Sequence, residues 1–406
     1  CAISAARCGS KVVLIQDRPV LGGNSSSEIR MWVSGAGSRV RNLQETGLME
    51  EILLDNMYSN KERNFSLWDA LLYGKVMAEP NITLLLNCSV CEADSDATHI
   101  NSVTGFQLTT YTWHTVKADI FVDCSGDSIL SELTDAEYMV GREAKSTFGE
   151  EFGLEVADRH TMGMSLMIQA HETDHKCEYV PPVWAYTYHT DEEMNFKPHE
   201  CLDKINTNFY WIELGGMQDS IRDTEQIRDE LLKIAFGVWD HIKNQGDHGA
   251  DNWELDWVGF LPGKRESRRY IGKHVVTQND VEAEGKFYDI VGYGGWTMDD
   301  HFPEGFYYQK GETTIFHPAP SPWGIPFRAL CSKNIENLMF AGRNISVTHA
   351  ALSSSRVMAT CAVLGQALGT AAALMVNRGT DINSIDIKEL QRQLMFDDCY
   401  LPFVER

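Results

Sequence analysis

The chain has few positive charges for its size. Its 406 residues include 35 lysines and arginines against 58 aspartates and glutamates, which leaves a formal net charge of −23. Such a surface repels phosphate backbones and anionic headgroups, so neither nucleic acid nor a membrane is an expected partner. The hydrophobic share of 43% and the charged share of 23% exclude a disordered chain and predict an ordinary folded, soluble protein.

Closely spaced cysteines are also scarce. The ten cysteines are scattered, and the one CxxC pair, Cys88 and Cys91, stands in a segment whose pattern predicts a strand, where side chains three apart face opposite ways. His171 and His175 match the HExxH zinc signature, but that signature requires a helix and follows a predicted strand here, which favours a chance match. The sequence therefore predicts no metal site, no iron–sulfur cluster and no disulfide scaffold.

The sequence has one long apolar run, at residues 359–376. Its length approaches that of a membrane span, but its threonine, glutamine and alanine content favours a buried helix. The first residues lack the order of a signal peptide, so a cytoplasmic protein is expected, with the periplasm as the alternative.

The opening residues have the pattern of half a nucleotide-binding βαβ unit. Residues 3–7 read as the end of a helix, residues 11–15 as a strand, and Asp17 follows that strand. An acidic residue at this place binds a ribose hydroxyl, although an ordinary surface aspartate is the alternative. Counting back from Asp17 places the glycine fingerprint before residue 1, so cofactor affinity is expected to depend on preceding residues.

The rest of the chain divides by its pattern of predicted strands, helices and loops. Strands at residues 82–90, 117–124 and 337–340 are expected to join residues 11–15 in one Rossmann-like sheet. Short aromatic strands, loops and one amphipathic helix with a clear helical spacing, from Thr224 to Ile242, lie between them. The predicted divisions are a nucleotide domain, an inserted substrate or cap domain, a return segment of the first domain and a tail, at residues 1–150, 151–325, 326–376 and 377–406.

Five segments carry a resemblance to a known family. They are LGGN at residues 21–24, DCSGD at 123–127, GKRESRR at 263–269, PWGIPFRA at 322–329 and the stretch from Ala341 to Gly369. Together they resemble the FAD-dependent oxidoreductase family, which is related to the flavin-bearing polypeptide of heterodisulfide reductase and to fumarate reductase flavoproteins. The resemblance implies FAD as cofactor and an α/β fold: a Rossmann-like domain of the glutathione reductase type, interrupted by an α+β cap. The family's opening GxGxxG segment and the cysteine clusters of some relatives are absent.

On this resemblance a set of residues is expected to bind the cofactor. They are Asp17, Arg18, Gly22, Gly23, Asn24, Ser25, Val90, Ser125, Gly126, Asp127, Gly342, Arg343, Ser355, Arg356, Val357 and Met358. A helix starting near Ser355 would direct free N–H groups at the flavin edge that gains negative charge, with an ordinary capped helix as the alternative. Val90 is equally well interpreted as plain core.

Two histidines and two arginines are the catalytic candidates. His349 and His301 are expected beside the flavin ring, at least one of them as proton acceptor, with Arg265 or Arg268 orienting the substrate. A lone histidine is more often structural, and the arginines serve equally well as partners of Glu266 and other acids. Aromatic residues that either stack a sugar or pack in the core are Trp296, Phe302, Tyr307, Tyr308 and Trp323.

The expected function is that of an FAD-dependent oxidoreductase. It would transfer a hydride between a small organic substrate, carbohydrate-like by preference, and flavin N5. Its partners would be that substrate and an electron acceptor, with the oligomeric state left open. The alternative is a binding module that keeps a flavoprotein scaffold without turnover.

Overall fold

The computed structural model describes residues 1–36, 42–199, 209–309 and 311–405. The helices in these residues are α1 (Ala2–Arg7), α2 (Leu48–Ser59), α3 (Phe65–Met77), α4 (Ile129–Leu133), α5 (Lys145–Phe148), α6 (Thr224–Asn244), α7 (Gln278–Glu282), α8 (His349–Ser355), α9 (Met358–Arg378) and α10 (Ile387–Phe396). The predicted amphipathic helix is confirmed as α6, whose residues Ile227, Leu231, Ile234, Val238 and Ile242 are all buried.

The strands are mostly short. In chain order they are β1 (Val12–Ile15), β2 (Ile82–Leu85), β3 (Cys88–Ser95), β4 (Ile100–Gln107), β5 (Thr112–Val116), β6 (Phe121–Asp123), β7 (Tyr138–Met139), β8 (Met164–Ser165), β9 (Ile168–Glu172), β10 (Glu213–Leu214), β11 (Trp253–Val258), β12 (Gly263–Lys264), β13 (Arg269–Tyr270), β14 (Ile290–Gly294), β15 (Met298–His301), β16 (Thr314–His317), β17 (Trp323–Pro326) and β18 (Leu338–Phe340).

The prediction that the four strands form one hydrogen-bonded sheet is wrong. β1 pairs in parallel with β2, and β6 pairs in parallel with β18, but within the described residues no ladder joins the two pairs. The residues expected to extend β2 form β3 instead, which belongs to an antiparallel sheet with β4 and β5. Each parallel pair connects strands far apart in sequence, so the fold is α/β in this region.

The two larger of the four hydrophobic clusters in the described residues form the main cores. The first collects Phe121 from β6, Leu338 and Phe340 from β18, and Leu364 from α9, and Ile15 of β1 packs against it. Both parallel pairs therefore share one core although they are separate ladders. α10 contributes Leu390 and Leu394 to the same core. Residues 377–406, predicted as a tail, therefore pack against the first core through α10.

The second core is built on α6. It includes Met164, Trp211, Trp239 and Ala250, together with Phe306 from outside that stretch. The predicted cap of residues 151–325 is broader than this, because Tyr270 and other residues of its C-terminal half pack in the first core. The division into domains stays a prediction.

α9 is the predicted long apolar helix, with a start at Met358 and an end at Arg378. It is long and apolar enough to cross a membrane by length and composition, and 72% of its most apolar window is buried inside the protein. α1 crosses it closely, where Ser4 Oγ donates to the carbonyl of Gln366 at 3.0 Å. This packing is that of a core helix.

Candidate functional site

Two adjacent carboxylates on β15 organise the site. Asp299 and Asp300 follow one another on this strand, so their side chains leave it on opposite faces. Asp300 Oδ1 lies 3.0 Å from Nε2 of His349, the first residue of α8, and Asp299 Oδ1 lies 3.5 Å from Nε2 of His301. Each carboxylate therefore meets one of the two histidines expected to be catalytic.

A buried glutamate stands behind His349. His349 Nδ1 lies 2.9 Å from Glu266 Oε2, and we name Glu266, His349 and Asp300 the His349 triad. The exposed fraction of the side chain rises along it from 0% at Glu266 through 9% at His349 to 32% at Asp300. The triad thus runs from the protein interior to one carboxylate that is partly exposed to solvent.

The charges of Glu266 and Asp300 determine the protonation state of His349. Burial disfavours the charged imidazole, but Glu266 and Asp300 together outweigh it and raise the pKa of His349 to about 10. Burial would raise the pKa of Asp300, yet the facing His349 lowers it below the usual range. At neutral pH both ring nitrogens of an imidazolium donate to carboxylates. That environment differs from the free base expected from the sequence, and it leaves Asp300 as the accessible acceptor.

A second triad has the same order of groups. His301 Nδ1 lies 2.8 Å from Oε2 of Glu213, which is fully buried, and Asp299 completes this His301 triad. Arg265 Nη1 lies 3.3 Å from the same glutamate oxygen. Burial opposes ionisation of Glu213, but Arg265 and His301 outweigh it and lower its pKa. The second triad is therefore a closed ion network with little exposed surface.

The two candidate arginines lie in different places. Arg265 is buried and donates to the Gly163 carbonyl at 3.2 Å and to Ser165 Oγ at 2.8 Å. Arg268 donates to the Asp127 carbonyl at 2.9 Å and lines a cleft of about 560 Å³. Arg265 contacts Glu213 of the His301 triad, whereas Arg268 lies beside the predicted cofactor residues.

The structure brings several predicted cofactor residues together. Asn24 Nδ2 donates to the Lys264 carbonyl at 3.0 Å, and Lys264 Nζ lies 2.9 Å from Asp127 Oδ2. Arg343 Nη2 lies 2.7 Å from the other oxygen of Asp127. Burial opposes the ionised form of Asp127, but Arg343 and Lys264 outweigh it and hold its pKa well below the usual range. Segments from four parts of the sequence therefore meet at Asp127.

The residues here fit a dinucleotide cofactor. Gly126 has φ of +75°, and a Cβ at this position would overlap the Arg343 guanidinium, so a side chain would displace the arginine. Within the described residues, the buried atoms Arg343 Nε, Arg356 Nε and Ser355 Oγ have no hydrogen-bond partner. Unmatched polar atoms at expected binding positions are those that a polar ligand satisfies.

Other predicted cofactor residues lie at separate points of this region. Asp17 and Arg18 are exposed and follow β1, and the Arg18 carbonyl accepts from Asn87 N at 3.1 Å. That bond places them next to the start of β3, which carries Val90, and Val90 packs against the first core. Gly22, Gly23 and Ser25 form a tight turn in which Ser25 Oγ donates to the Gly22 carbonyl at 2.8 Å.

The expected helix start at Ser355 is wrong. Ser355 is the last residue of α8, and α9 begins after a break at Arg356 and Val357. The N–H-rich helix end therefore lies at Met358, and Val357 provides no side-chain cap for it. Arg356 connects this break to the catalytic candidates, since its Nη2 lies 3.3 Å from Asp299 Oδ2.

The aromatic candidates do not form one platform. Trp323 is fully buried and its Nε1 donates to Ser354 Oγ at 3.1 Å, so it is a core residue. Tyr307 is exposed, and Phe302 stacks on Tyr308 with ring centroids 4.0 Å apart. Trp296 contacts the His301 triad, with Nε1 3.4 Å from Asp299 Oδ2.

Sequence reasoning missed the glutamates of the triads. Glu213 lies in β10, 88 residues before His301, and no local pattern connects the two. The one available signal was the GKRESRR segment, because its Arg265 pairs with Glu213 of one triad and its Glu266 belongs to the other. As for the HExxH match, His171 lies on strand β9 and not on a helix.

Comparison with known proteins gives one match to a sequence family and several distant matches to solved structures. A sequence profile described as FAD dependent oxidoreductase matches residues 1–394. No curated protein matches the chain.

Among solved structures, the chain is similar to p-nitrophenol 4-monooxygenase PnpA from Pseudomonas putida DLL-E4, at 10% identity and a TM-score of 0.40, with 97% of this chain and 81% of that chain covered. It is also similar to a variant of the quinol fumarate reductase FrdA of E. coli, at 11% identity and a TM-score of 0.33, with 98% and 71% covered. These structural likenesses are too distant to argue from.

Proposed function

The chain belongs to the FAD-dependent oxidoreductase family, because the family profile spans residues 1–394, and on this premise we propose that it exchanges two electrons with a small hydroxyl-bearing substrate. The enzyme class, the cofactor FAD and an FAD-binding α/β fold follow from the family. The substrate, the role of each residue and a glutathione-reductase-type arrangement of Rossmann-like domain and cap are our proposals.

The residues that would hold FAD are those that meet around Asp127 and at the break before α9. Lys264 and Arg343 provide positive charge beside Gly126, which suits a pyrophosphate. Ser355, Arg356 and the uncapped N-terminus of α9 provide donors that suit the flavin ring. Asp17 and Arg18, exposed at the end of β1, suit a ribose.

In this proposal Asp300 is the group that moves the substrate proton. When bound, FAD supplies at N5 the acceptor for the hydride that leaves the substrate carbon. As the substrate C–H bond breaks and the C=O bond forms, the hydroxyl proton passes to Asp300. His349 holds the carboxylate in place by its 3.0 Å hydrogen bond, and Glu266 keeps His349 charged.

The observation that carries the proposal is the gradient of exposure along the His349 triad. The His301 triad is buried nearly throughout, with 0% exposure at Glu213 and 13% at Asp299. The His349 triad instead ends at Asp300, 32% exposed. α8 carries His349 at its start and Ser355 at its end, so one short helix spans from the triad to the proposed flavin site.

The preference for a carbohydrate-like substrate rests on the partly exposed Asp300, because a carboxylate accepts hydrogen bonds from hydroxyl groups. The test mixes FAD-loaded protein with aldoses, sugar alcohols and hydroxy acids without oxygen and follows the absorbance of oxidised flavin. Reduction by the polyhydroxy compounds is expected. Full FAD occupancy without reduction by any of them would refute the substrate class and favour the binding module.

A further inference from the structure

Three histidines cluster apart from both triads. His199, His241 and His248 each offer one ring nitrogen, and these nitrogens all lie within 4.8 Å of one another. His241 lies in the last turn of α6, and His248 follows that helix in the next turn. His199 comes from a segment before the helix, so the cluster connects α6 to a distant part of the chain.

Each histidine uses one ring nitrogen on a backbone carbonyl. His199 Nδ1 lies 2.8 Å from the Lys197 oxygen, His241 Nδ1 lies 2.8 Å from the Tyr188 oxygen, and His248 Nε2 lies 2.9 Å from the Gln245 oxygen. Because a carbonyl only accepts, these three nitrogens carry the hydrogens. Neutral rings then keep a lone pair on the opposite nitrogen. A carbonyl that orients the ring from behind is the usual environment of a metal-binding histidine.

The second ring nitrogen of His241 has no donor. His241 Nε2 is buried and makes no hydrogen bond among the described residues, and the atom that approaches it, Asp191 Oδ1 at 3.2 Å, is itself an acceptor. Leaving a buried acceptor unmatched is costly, and a cation bound between the three rings would satisfy it.

A carboxylate completes the set. Asp191 Oδ1 lies 3.2 Å from His241 Nε2 and 3.6 Å from His199 Nε2. Ligand atoms around a tetrahedral zinc ion with bonds of about 2.0–2.1 Å stand about 3.3 Å from each other, which is close to these separations. We propose that His199, His241, His248 and Asp191 bind one divalent transition-metal ion, for which Zn²⁺ is the best match to three imidazoles and one carboxylate.

The role of this site would be structural. Three ligands are buried or half-buried, and the fourth, Asp191, belongs to the segment that packs across the end of α6. The ion would fasten that segment to the helix of the second core. The expectation of no metal rested on the cysteine spacing and on the strand context of the HExxH match, and Asp191 and the three histidines form no short, regular motif. The structure brings them together through tertiary packing.

The experiment uses full-length protein whose affinity tag has been removed, since polyhistidine binds the same ions. After dialysis against a chelator, Zn²⁺ or Co²⁺ is added, the excess is removed, and the metal content is measured by mass spectrometry. We expect about one ion per chain, with the strong visible absorption of a tetrahedral cobalt site. This readout does not depend on flavin or on turnover.

Half-exposed His248 is the residue to change, because His241 is buried and its loss would also disturb the fold. We expect His248→Ala to weaken metal binding by at least about tenfold. The matched control, His175→Ala, removes an exposed histidine of the HExxH match and should bind as the parent does. Circular dichroism confirms that both variants are folded. A folded parent that retains no stoichiometric metal, or a His248→Ala variant that binds as tightly as the parent, would overturn the site and indicate a metal-free His241–Asp191 ion pair.

Discussion

His349 Nε2 lies 3.0 Å from Oδ1 of Asp300, and the opposite nitrogen of the same ring lies 2.9 Å from Glu266. An imidazole held between two carboxylates is a charged donor on both sides. In the proposed function, Asp300 exchanges the proton with the substrate and His349 positions Asp300. It also connects the enzyme's pH behaviour to one buried group.

The first prediction concerns this buried charge. The pKa of His349 in the folded protein, about 10, is above that of histidine in the unfolded chain. The stabilisation is therefore fully present below about pH 6.5 and is lost as the pH rises through the folded pKa, with a size on the order of 2 to 5 kcal/mol. In ¹⁵N-histidine NMR spectra, assigned with His349→Gln, the His349 ring should be protonated at about pH 8. A neutral His349 ring at that pH would contradict the triad.

The second prediction concerns FAD binding. Arg343→Ala should lower FAD affinity by about 10- to 100-fold, because a charge-assisted bond to the cofactor is lost. Asp127 keeps Lys264 as a partner in this variant, so the fold should persist. Titration with FAD measures the effect, and Arg392→Ala, which changes an exposed arginine of α10, is the control. Equal affinity in both variants would remove Arg343 from the site.

A third prediction concerns the crossing of α1 and α9. A Cβ at Gly369 would overlap the carbonyl oxygen of Cys1, so Gly369→Ala should lower the free energy of unfolding by about 1–3 kcal/mol. Gly74 in α3 has open space around it, and Gly74→Ala should raise that free energy by about 0.5–1 kcal/mol. Urea unfolding compares the two. If both substitutions changed the free energy of unfolding in the same direction, the close approach of the Cys1 carbonyl to Gly369 would not explain the effect of Gly369→Ala.

Local patterns predicted the elements better than their pairing. The spacing from Ile227 to Ile242 was sufficient for α6, because one buried face defines such a helix. The boundary at Ser355 failed because Ser353, Ser354 and Ser355 continue α8, and nothing in the sequence marks the break at Arg356. Whether β1 and β18 join one sheet depends on which strands lie between them in the fold. The hydrophobic pattern of a single strand does not show its neighbours.

The site shows the same limit. The sequence places His349 between Gly342 and the predicted helix start at Ser355 and His301 directly after two acids, and the structure places both histidines in triads. Their glutamate partners lie 83 and 88 residues away, so only the folded chain brings them together. The metal cluster was missed for the same reason, since ligands from distant segments leave no motif.

The measurement that tests the central claim most directly is the rate of flavin reduction in stopped flow, without oxygen, for the parent and for Asp300→Asn. The substrate is the polyhydroxy compound that reduces the parent fastest, and Asp256→Asn, at an exposed position, is the control. Loss of the proton acceptor should slow reduction by about 10²- to 10⁴-fold while FAD stays bound and the control is unchanged. Reduction of Asp300→Asn within about threefold of the parent would contradict the assignment and leave the His349 triad a structural network.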